Sequence, residues 1–106
     1  MRHILFLKIK VDEGREEDLI EFLCEAIAYY EESGRQKLRL LQNYDDRELF
    51  FEIIEYEDKK AFDCDSKRVG NDKKMKKLLE RWREILQQPP EIMHFIDITH
   101  KIKPDD

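Results

Sequence analysis

Hydrophobic and polar residues alternate in four stretches of the chain, which is the pattern typical of β-strands. These stretches cover residues 3–11, 37–44, 47–56 and 92–102. The third stretch is apolar on both faces. One face carries Leu49, Phe51 and Ile53, and the other carries Phe50, Ile54 and Tyr56. A strand of this kind needs cover on both sides, so we expect it to be central in its sheet.

Apolar residues recur with helical period in two further stretches. The first stripe consists of Leu19, Ile20, Leu23, Ala26, Ile27 and Tyr30, and Gly34 is placed to end that helix. The second consists of Met75, Leu78, Leu79, Trp82, Ile85 and Leu86. Ahead of it, Asp58 is a good N-cap for a short helix that holds Ala61 and Phe62. Residues 64–71 interrupt the pattern between the two helical pieces.

The element order β-α-β-β-α-β predicts one ferredoxin-like α+β domain over residues 1–106, with an antiparallel sheet. Right-handed crossovers place strands one and three in the middle and the more polar strands two and four at the edges. The helices cover only one face of the sheet. The other face, with Ile4 and Phe6 or their alternates and one set of strand-three residues, would be a large apolar patch. We therefore expect a homodimer that packs sheet against sheet.

Charge narrows the range of partners. The 106 residues include 20 Lys and Arg and 25 Asp and Glu, a net charge of −5. This balance argues against sequence-independent binding to nucleic acid or anionic lipid. No apolar run approaches the roughly 20 residues of a membrane span, and Cys24 and Cys64 lack metal-like or redox-like spacing. We expect a cytoplasmic protein with reduced thiols, no nucleic-acid partner and no membrane contact.

The residues around the third strand resemble a known family. Gly14 closes strand one, a hairpin follows the first helix, and Glu55-Tyr56-Glu57-Asp58 leads into Ala61-Phe62 and an amphipathic helix. This arrangement resembles the antibiotic biosynthesis monooxygenase-like proteins, in which two ferredoxin-like protomers join through their sheets to form a dimeric α/β barrel. The resemblance implies a pocket between each sheet and its helices. It implies cofactor-free oxygenation of phenols and quinols or haem degradation, although many members have no assigned activity.

The haem-degrading branch of that family does not fit this sequence. The resemblance places its strand-one Asn, its Trp after the Ala-Phe pair and its second-helix His at Leu7, Asp65 and Met75. None of the three residues matches, and the His that many other members carry at the position of Asp65 is missing too. Tyr56 stands where the family often has Trp. We therefore expect no haem and no other cofactor.

Tyr56 and Asp65 are the leading candidates for a catalytic site. Tyr56 ends the central strand, and Asp65 lies in the predicted break between the two helical pieces. A carboxylate with a raised pKa accepts a phenolic proton, which is the first step of cofactor-free oxygenation. The structural alternative is that Tyr56 caps the core with its hydroxyl in water and that Asp65 caps a helix.

His94 is the third catalytic candidate, as a general base, because it is the histidine that lies well inside a strand. A core or interface histidine is the alternative. His94 and His100 stand about 20 Å apart at the strand rise, so they cannot share a metal, and we expect no metal site. Tyr44, at the end of strand two, and Trp82, in the helical stripe, are candidates to line a pocket. Trp82 is also simply explained as a core residue.

Two functions remain open from the sequence. The first is a cofactor-independent monooxygenase that acts on a small aromatic or quinol-type molecule in a pocket between sheet and helices. The second is a non-catalytic dimeric module that binds a small molecule or only assembles. The RNA-recognition motif shares this strand order, but residues 47–52 lack its Gly and are flanked by acids, which argues against RNA binding.

Overall fold

The computed structural model describes residues 1–103, so the last three residues of the predicted domain lie outside the described residues. Within this range, four strands and three helices follow one another along the chain. They are β1 (His3–Lys10), α1 (Glu16–Tyr30), β2 (Gln36–Gln42), β3 (Leu49–Tyr56), α2 (Lys59–Asn71), α3 (Lys73–Ile85) and β4 (Glu91–Ile96). Short 3₁₀ turns cover Glu13–Arg15 and Thr99–Lys101.

The four strands form one antiparallel sheet in the order β2-β3-β1-β4. β1 and β3 are central and β2 and β4 lie at the edges, as the sequence predicts. Leu7 of β1 lies opposite Glu52 of β3 on one side and Ile92 of β4 on the other. Because directly opposed residues point to the same face, this register decides which side chains meet the helices. The predicted ferredoxin-like α+β fold is confirmed.

The hydrophobic core lies between the sheet and the helices. Its buried cluster consists of Leu7, Ile9, Val11, Leu19, Phe22, Leu23, Ala26, Phe50, Leu78, Trp82 and Ile85. These residues repeat every second position in the strands and every third or fourth in the helices, because one face of each element is removed from water. In α1, Ile20 is exposed and Phe22 is buried, so the buried stripe of that helix is rotated from the predicted one.

The predicted break at residues 64–71 is wrong, because α2 runs without interruption from Lys59 to Asn71. Asp58 does cap its start, since the Asp58 side chain accepts a hydrogen bond from the Ala61 N–H at 2.8 Å. The buried residues of α2 are Ala61 and Asp65. A charged residue on the buried side interrupts the apolar period of the helix, so the sequence pattern stops there although the helix continues.

The true boundary between the two helices is a single residue, Asp72. Its carboxylate accepts hydrogen bonds from the backbone N–H groups of Lys74 at 2.8 Å and Met75 at 3.2 Å, and so caps α3. The Tyr29 hydroxyl donates to the same carboxylate. The bond from Tyr29 and then those from the backbone hold the pKa of Asp72 below its usual range. Asp72 therefore ties the junction of α2 and α3 to α1.

The fourth strand is shorter than predicted, because β4 ends at Ile96 rather than Ile102. Its neighbour β1 begins at His3, which lies opposite Ile96, so later residues lie beyond the end of β1. The chain turns at Asp97, whose side chain accepts a hydrogen bond from the Thr99 N–H at 2.9 Å. The length of the partner strand thus sets the length of β4.

The face of the sheet turned away from the helices, called here the outer face, carries side chains from all four strands. Its apolar members are Ile4, Phe6, Leu41, Leu49, Phe51, Ile53, Met93 and Phe95. Phe6 meets Phe51 and Phe95 edge-on, with ring centroids 6.1 and 5.2 Å apart. Leu41, Met93 and Phe95 are among the exposed residues of the single chain. Monomers rarely leave an apolar surface of this kind in water.

Candidate functional site

A cavity of about 70 Å³ lies between the sheet and the helices. It is lined by Leu7, Tyr30, Glu31, Gln36, Leu38, Glu52, Ile54, Asp65, Val69, Met75, Leu79 and Trp82. Most of the wall is apolar, and each of the three helices contributes to it. An apolar cavity of about 150 Å³ holds benzene, so this cavity has to widen before it admits an aromatic ring. Val69 in the cavity wall is 40% exposed.

Tyr56 and Asp65 are joined by a buried hydrogen bond. The Tyr56 hydroxyl donates to Asp65 Oδ2 at 2.5 Å, and Gln36 Nε2 donates to Asp65 Oδ1 at 3.0 Å. Gln36 is itself held by a second bond to the Tyr30 carbonyl at 2.7 Å. Burial, and then the bond to Asp65, raise the pKa of Tyr56, so its hydroxyl remains a donor. The structure brings these two predicted residues together, with Asp65 in the cavity wall and Tyr56 behind it.

Glu52 is a buried acid in the centre of β3, and it is only 2% exposed. Trp82 Nε1 donates to Glu52 Oε2 at 2.5 Å. Among residues 1–103, this is the one hydrogen bond made to the Glu52 carboxylate. Burial raises the pKa of Glu52 to about 7, against the opposing effect of the Trp82 N–H. Glu52 therefore exchanges a proton near neutral pH, as a general acid or base must.

The candidates taken from the sequence omit Glu52, although the pattern contains a signal for it. Glu52 lies between Phe50 and Ile54 on the helix-facing side of β3. An acid at that position interrupts an otherwise apolar set on a central strand. Glu is almost never fully buried without a partner, so such an interruption is informative once the strand is known to be central.

The cavity is acidic as well as apolar. Three of its twelve lining residues are carboxylic acids, Glu31, Glu52 and Asp65, and none is Lys, Arg or His. The nearby cations are engaged outside it. Arg68 donates to the Tyr29 carbonyl at 2.9 Å, and Arg81 pairs with Glu25 at 2.8 Å. No cation in the wall is therefore available to hold an anionic group of a ligand.

His94 and Tyr44 lie outside the cavity. His94 is an exposed side chain: its Nε2 lies 2.9 Å from His3 Nδ1, and its ring stacks on Phe62 with centroids 4.2 Å apart. Tyr44 is 93% exposed. Tyr44 does not line this cavity, because β2 ends at Gln42 and the following turn carries Tyr44 into solvent. Trp82, by contrast, lines the cavity.

Within residues 1–103, no three His, Cys, Asp or Glu side chains are placed to hold one metal ion. The two cysteines, Cys24 and Cys64, are free and exposed. None of the helices in the described range is long and apolar enough to cross a membrane.

No protein-family model matches the sequence, and no curated protein is similar to it. Solved structures with the same fold are numerous, with 42 matching chains. A Bordetella bronchiseptica protein provisionally assigned as an antibiotic biosynthesis monooxygenase has a TM-score of 0.74 and 14% identity, over 92% of this chain and 97% of its own. A variant of SnoaB, a cofactor-independent oxygenase from Streptomyces nogalater, has a TM-score of 0.74 and 13% identity, over 92% and 93%. A conserved protein from Methanosarcina mazei Go1 has a TM-score of 0.69 and 16% identity, over 90% and 91%.

The chain has the fold of the antibiotic biosynthesis monooxygenases. The resemblance seen in Gly14, residues 55–58 and Ala61-Phe62 is thus confirmed at the level of the fold. Identities of 13–16% to these three structures do not carry over a reaction or a substrate, since one fold hosts many activities. Within this monooxygenase-like fold, function has to be argued from the cavity and its residues.

Proposed function

We propose that this protein is a cofactor-independent monooxygenase-like enzyme that acts on a small aromatic or quinol-type molecule bound in the cavity. The observation that carries the proposal is an apolar cavity that contains a buried carboxylate, Glu52, with a pKa of about 7. A carboxylate with a raised pKa accepts a phenolic proton more readily than an exposed one. Loss of that proton makes the ring electron-rich, which is the state that reacts with O₂.

The proposed reaction draws its electrons from the substrate itself. The substrate loses the hydrogen of its hydroxyl group and the hydrogen of one ring carbon, and that carbon gains a C=O bond to one atom of O₂ as the ring becomes a quinone. The second oxygen atom leaves as water with the two hydrogens, so atoms and electrons balance without another reductant. In this proposal Asp65, fixed by Tyr56 and Gln36, forms the polar wall beside the reacting ring. His94 lies outside the cavity and has no part in the proposed chemistry.

We further propose that the protein works as a homodimer joined through the outer face. The cluster of Phe6, Phe51 and Phe95 supplies the apolar centre of such an interface. Charged side chains surround it, for example Lys8, which pairs with Glu91 at 3.5 Å. An apolar centre with a polar rim is the usual anatomy of a stable interface. A second copy packed here would give β3 the cover on both sides that its sequence demands.

A non-catalytic dimeric module that binds a small molecule is the second candidate. The small volume of the cavity, about 70 Å³, favours it, because substrate pockets are typically 300–1,000 Å³. The two functions differ in one observable, which is transfer of oxygen to the bound molecule.

Incubation with ¹⁸O₂ tests the proposed function. The protein is mixed with a panel of one-ring to three-ring phenols and quinols, and the products are analysed by mass spectrometry. We expect one ¹⁸O atom per product molecule, formed faster than in a matched sample without protein. Binding of panel members without ¹⁸O incorporation would favour the non-catalytic module. Native mass spectrometry of the same sample tests the dimer, and a monomeric mass would contradict it.

A further inference from the structure

We propose that Glu52 is the catalytic residue that receives the ligand's proton, and that the ligand is an uncharged single-ring molecule with one hydroxyl group. This inference rests on the proposed function, because it names the proton acceptor and the ligand class for the same cavity. It gives Glu52 a direct contact with the ligand, through the carboxylate oxygen that Trp82 does not occupy.

The hydrogen bonds of the cavity separate Glu52 from Asp65 as the acceptor. Both oxygens of Asp65 already receive a donor, one from Tyr56 and one from Gln36. Glu52 receives one donor, from Trp82 to Oε2, which leaves Oε1 open to a ligand. A buried carboxylate with an open oxygen gains most from a ligand that donates a hydrogen bond, since water is largely excluded around it.

The charge of the cavity selects against anionic ligands. Glu31, Glu52 and Asp65 all contribute to a wall that has no Lys, Arg or His. A carboxylate or phosphate on the ligand would lie beside like charges with no cation in the wall to pair with. A neutral hydroxyl has neither problem.

The apolar residues of the cavity wall favour a ligand whose remaining part, apart from the hydroxyl group, is hydrocarbon. Leu7, Leu38, Ile54, Met75 and Leu79 offer only hydrocarbon or thioether contacts. At about 70 Å³ the cavity is already smaller than one ring requires. Among aromatic ligands, a single ring requires less widening of this cavity than a fused system. One ring with one hydroxyl is therefore the aromatic ligand that needs the least widening of the cavity and that offers a donor to its open acceptor.

The raised pKa of Glu52 supports its assignment as the proton acceptor. The titratable and polar groups that share the cavity wall with Glu52 are Trp82 on α3, Tyr30 on α1, Glu31 directly after α1, Asp65 on α2 and Gln36 on β2. Arg81 on α3 acts on Tyr30. Burial raises the pKa of Tyr30, so it stays neutral and does not compete for a proton at ordinary pH. Because burial raises the pKa of Glu52 to about 7, its basic form becomes the main one above that pH. We expect product formation to rise from pH 6 to pH 8.

The first test uses the unmodified protein and three probes of similar size: phenol, anisole and benzoate. Trp82 is the single tryptophan of the chain and lines the cavity, so quenching of its fluorescence reports binding at the site. We expect phenol to bind about tenfold more tightly than anisole, which lacks the donor. Benzoate should bind at least as weakly as anisole. Equal affinities for phenol and anisole, tighter binding of benzoate, or no quenching by phenol would each overturn the inference.

The second test is the Glu52→Gln variant, with Glu55→Gln as the matched control on the opposite face of β3. In the variant the Trp82 N–H still needs the amide oxygen, so the amide NH₂ group points to the ligand. The preference for phenol over anisole should then fall to about one, and the rise in product formation between pH 6 and pH 8 should disappear. Glu55→Gln should retain both. A phenol preference that survives Glu52→Gln would overturn the assignment even if the variant is otherwise folded.

Failure of this inference can be told from failure of the proposed function. If the phenol preference follows Glu52 but no product carries ¹⁸O, the oxygenase proposal fails and Glu52 remains the ligand acceptor. If Glu52→Gln forms ¹⁸O-labelled product at the unmodified rate, oxygenation stands and Glu52 is not the proton acceptor.

Discussion

Glu52 and Glu55 lie three residues apart on β3 and face opposite sides of the sheet. Glu55 is half-buried on the outer face, 3.9 Å from Arg39, in an ion pair of a kind that contributes about 0–1 kcal/mol. Glu52 is 2% exposed, bonded to Trp82, and its pKa is raised to about 7 by burial. The same residue type on the same strand is thus a surface charge in one place and a proton-exchanging group in the other. The two environments differ because the side chains point to opposite faces of the sheet and α3 covers only the face that carries Glu52.

The largest effect should come from a charge placed on either side of the same strand. Phe50 is 2% exposed in the core beneath the helices, so Phe50→Asp should cost more than about 3–5 kcal/mol and prevent folding. Phe51 lies on the outer face beside Phe6. Phe51→Asp should leave a folded chain but shift a dimer to monomer. Circular dichroism measures folding and native mass spectrometry measures the oligomeric state. A folded dimer for both variants would contradict our interpretation that β3 is covered on both faces.

The second prediction concerns stability and pH. Burial raises the pKa of folded Glu52 above its ordinary value of 4.5 to about 7, so the folded chain binds more protons than the unfolded chain between these values. The contribution of Glu52 to the free energy of unfolding is then fully present below pH 4.5 and is lost as pH rises to about 7. Glu52→Gln should remove this loss. Its free energy of unfolding should exceed that of the unmodified protein by up to about 3 kcal/mol at pH 8, and the two values should differ little at pH 4.

Urea unfolding at a series of pH values measures the stability of Glu52→Gln. Glu55→Gln is the control and should follow the unmodified protein at every pH. Identical pH profiles for Glu52→Gln and the unmodified protein would mean that Glu52 titrates normally in the fold, and the contrast between the two acids would disappear.

A smaller effect is expected where a buried hydrogen bond is removed on the helix-facing side. Tyr56→Phe deletes the hydroxyl that donates to Asp65 Oδ2, which should cost about 1–3 kcal/mol because the buried carboxylate loses a partner. Tyr44→Phe is the matched control, since Tyr44 is 93% exposed. Urea unfolding at pH 7 gives both values. A loss of equal size in the two variants would argue that the Tyr56–Asp65 bond contributes nothing specific.

The smallest effect is expected at His94, on the exposed edge strand. Its contacts to His3 and Phe62 lie outside the cavity, so His94→Ala should change the free energy of unfolding by less than about 1 kcal/mol. The rate of ¹⁸O incorporation should stay within about twofold of the unmodified rate, as it should for the control His100→Ala. A tenfold loss of product formation in His94→Ala alone would show that His94 takes part in catalysis and would contradict the site proposed here.

The parts of the fold that follow from local geometry were accessible from the sequence. Alternation along residues 47–56 predicts a central β3, the acid at Asp58 predicts the start of α2, and the element order predicts the sheet topology. These inferences hold because the period of a strand or helix and the chemistry of a cap are properties of a few neighbouring residues.

Long-range packing decided the rest. Asp65 lies in the cavity wall because α2 continues past it, and a charged residue on a buried stripe leaves no periodic trace in the sequence. Tyr44 lies in solvent because β2 ends two residues before it. Glu52 became a candidate only when Trp82, thirty residues away in the chain, packed above it. Burial of a polar group, and the pKa that follows from it, depends on which distant element covers it, so only the tertiary structure determined the chemistry of the site.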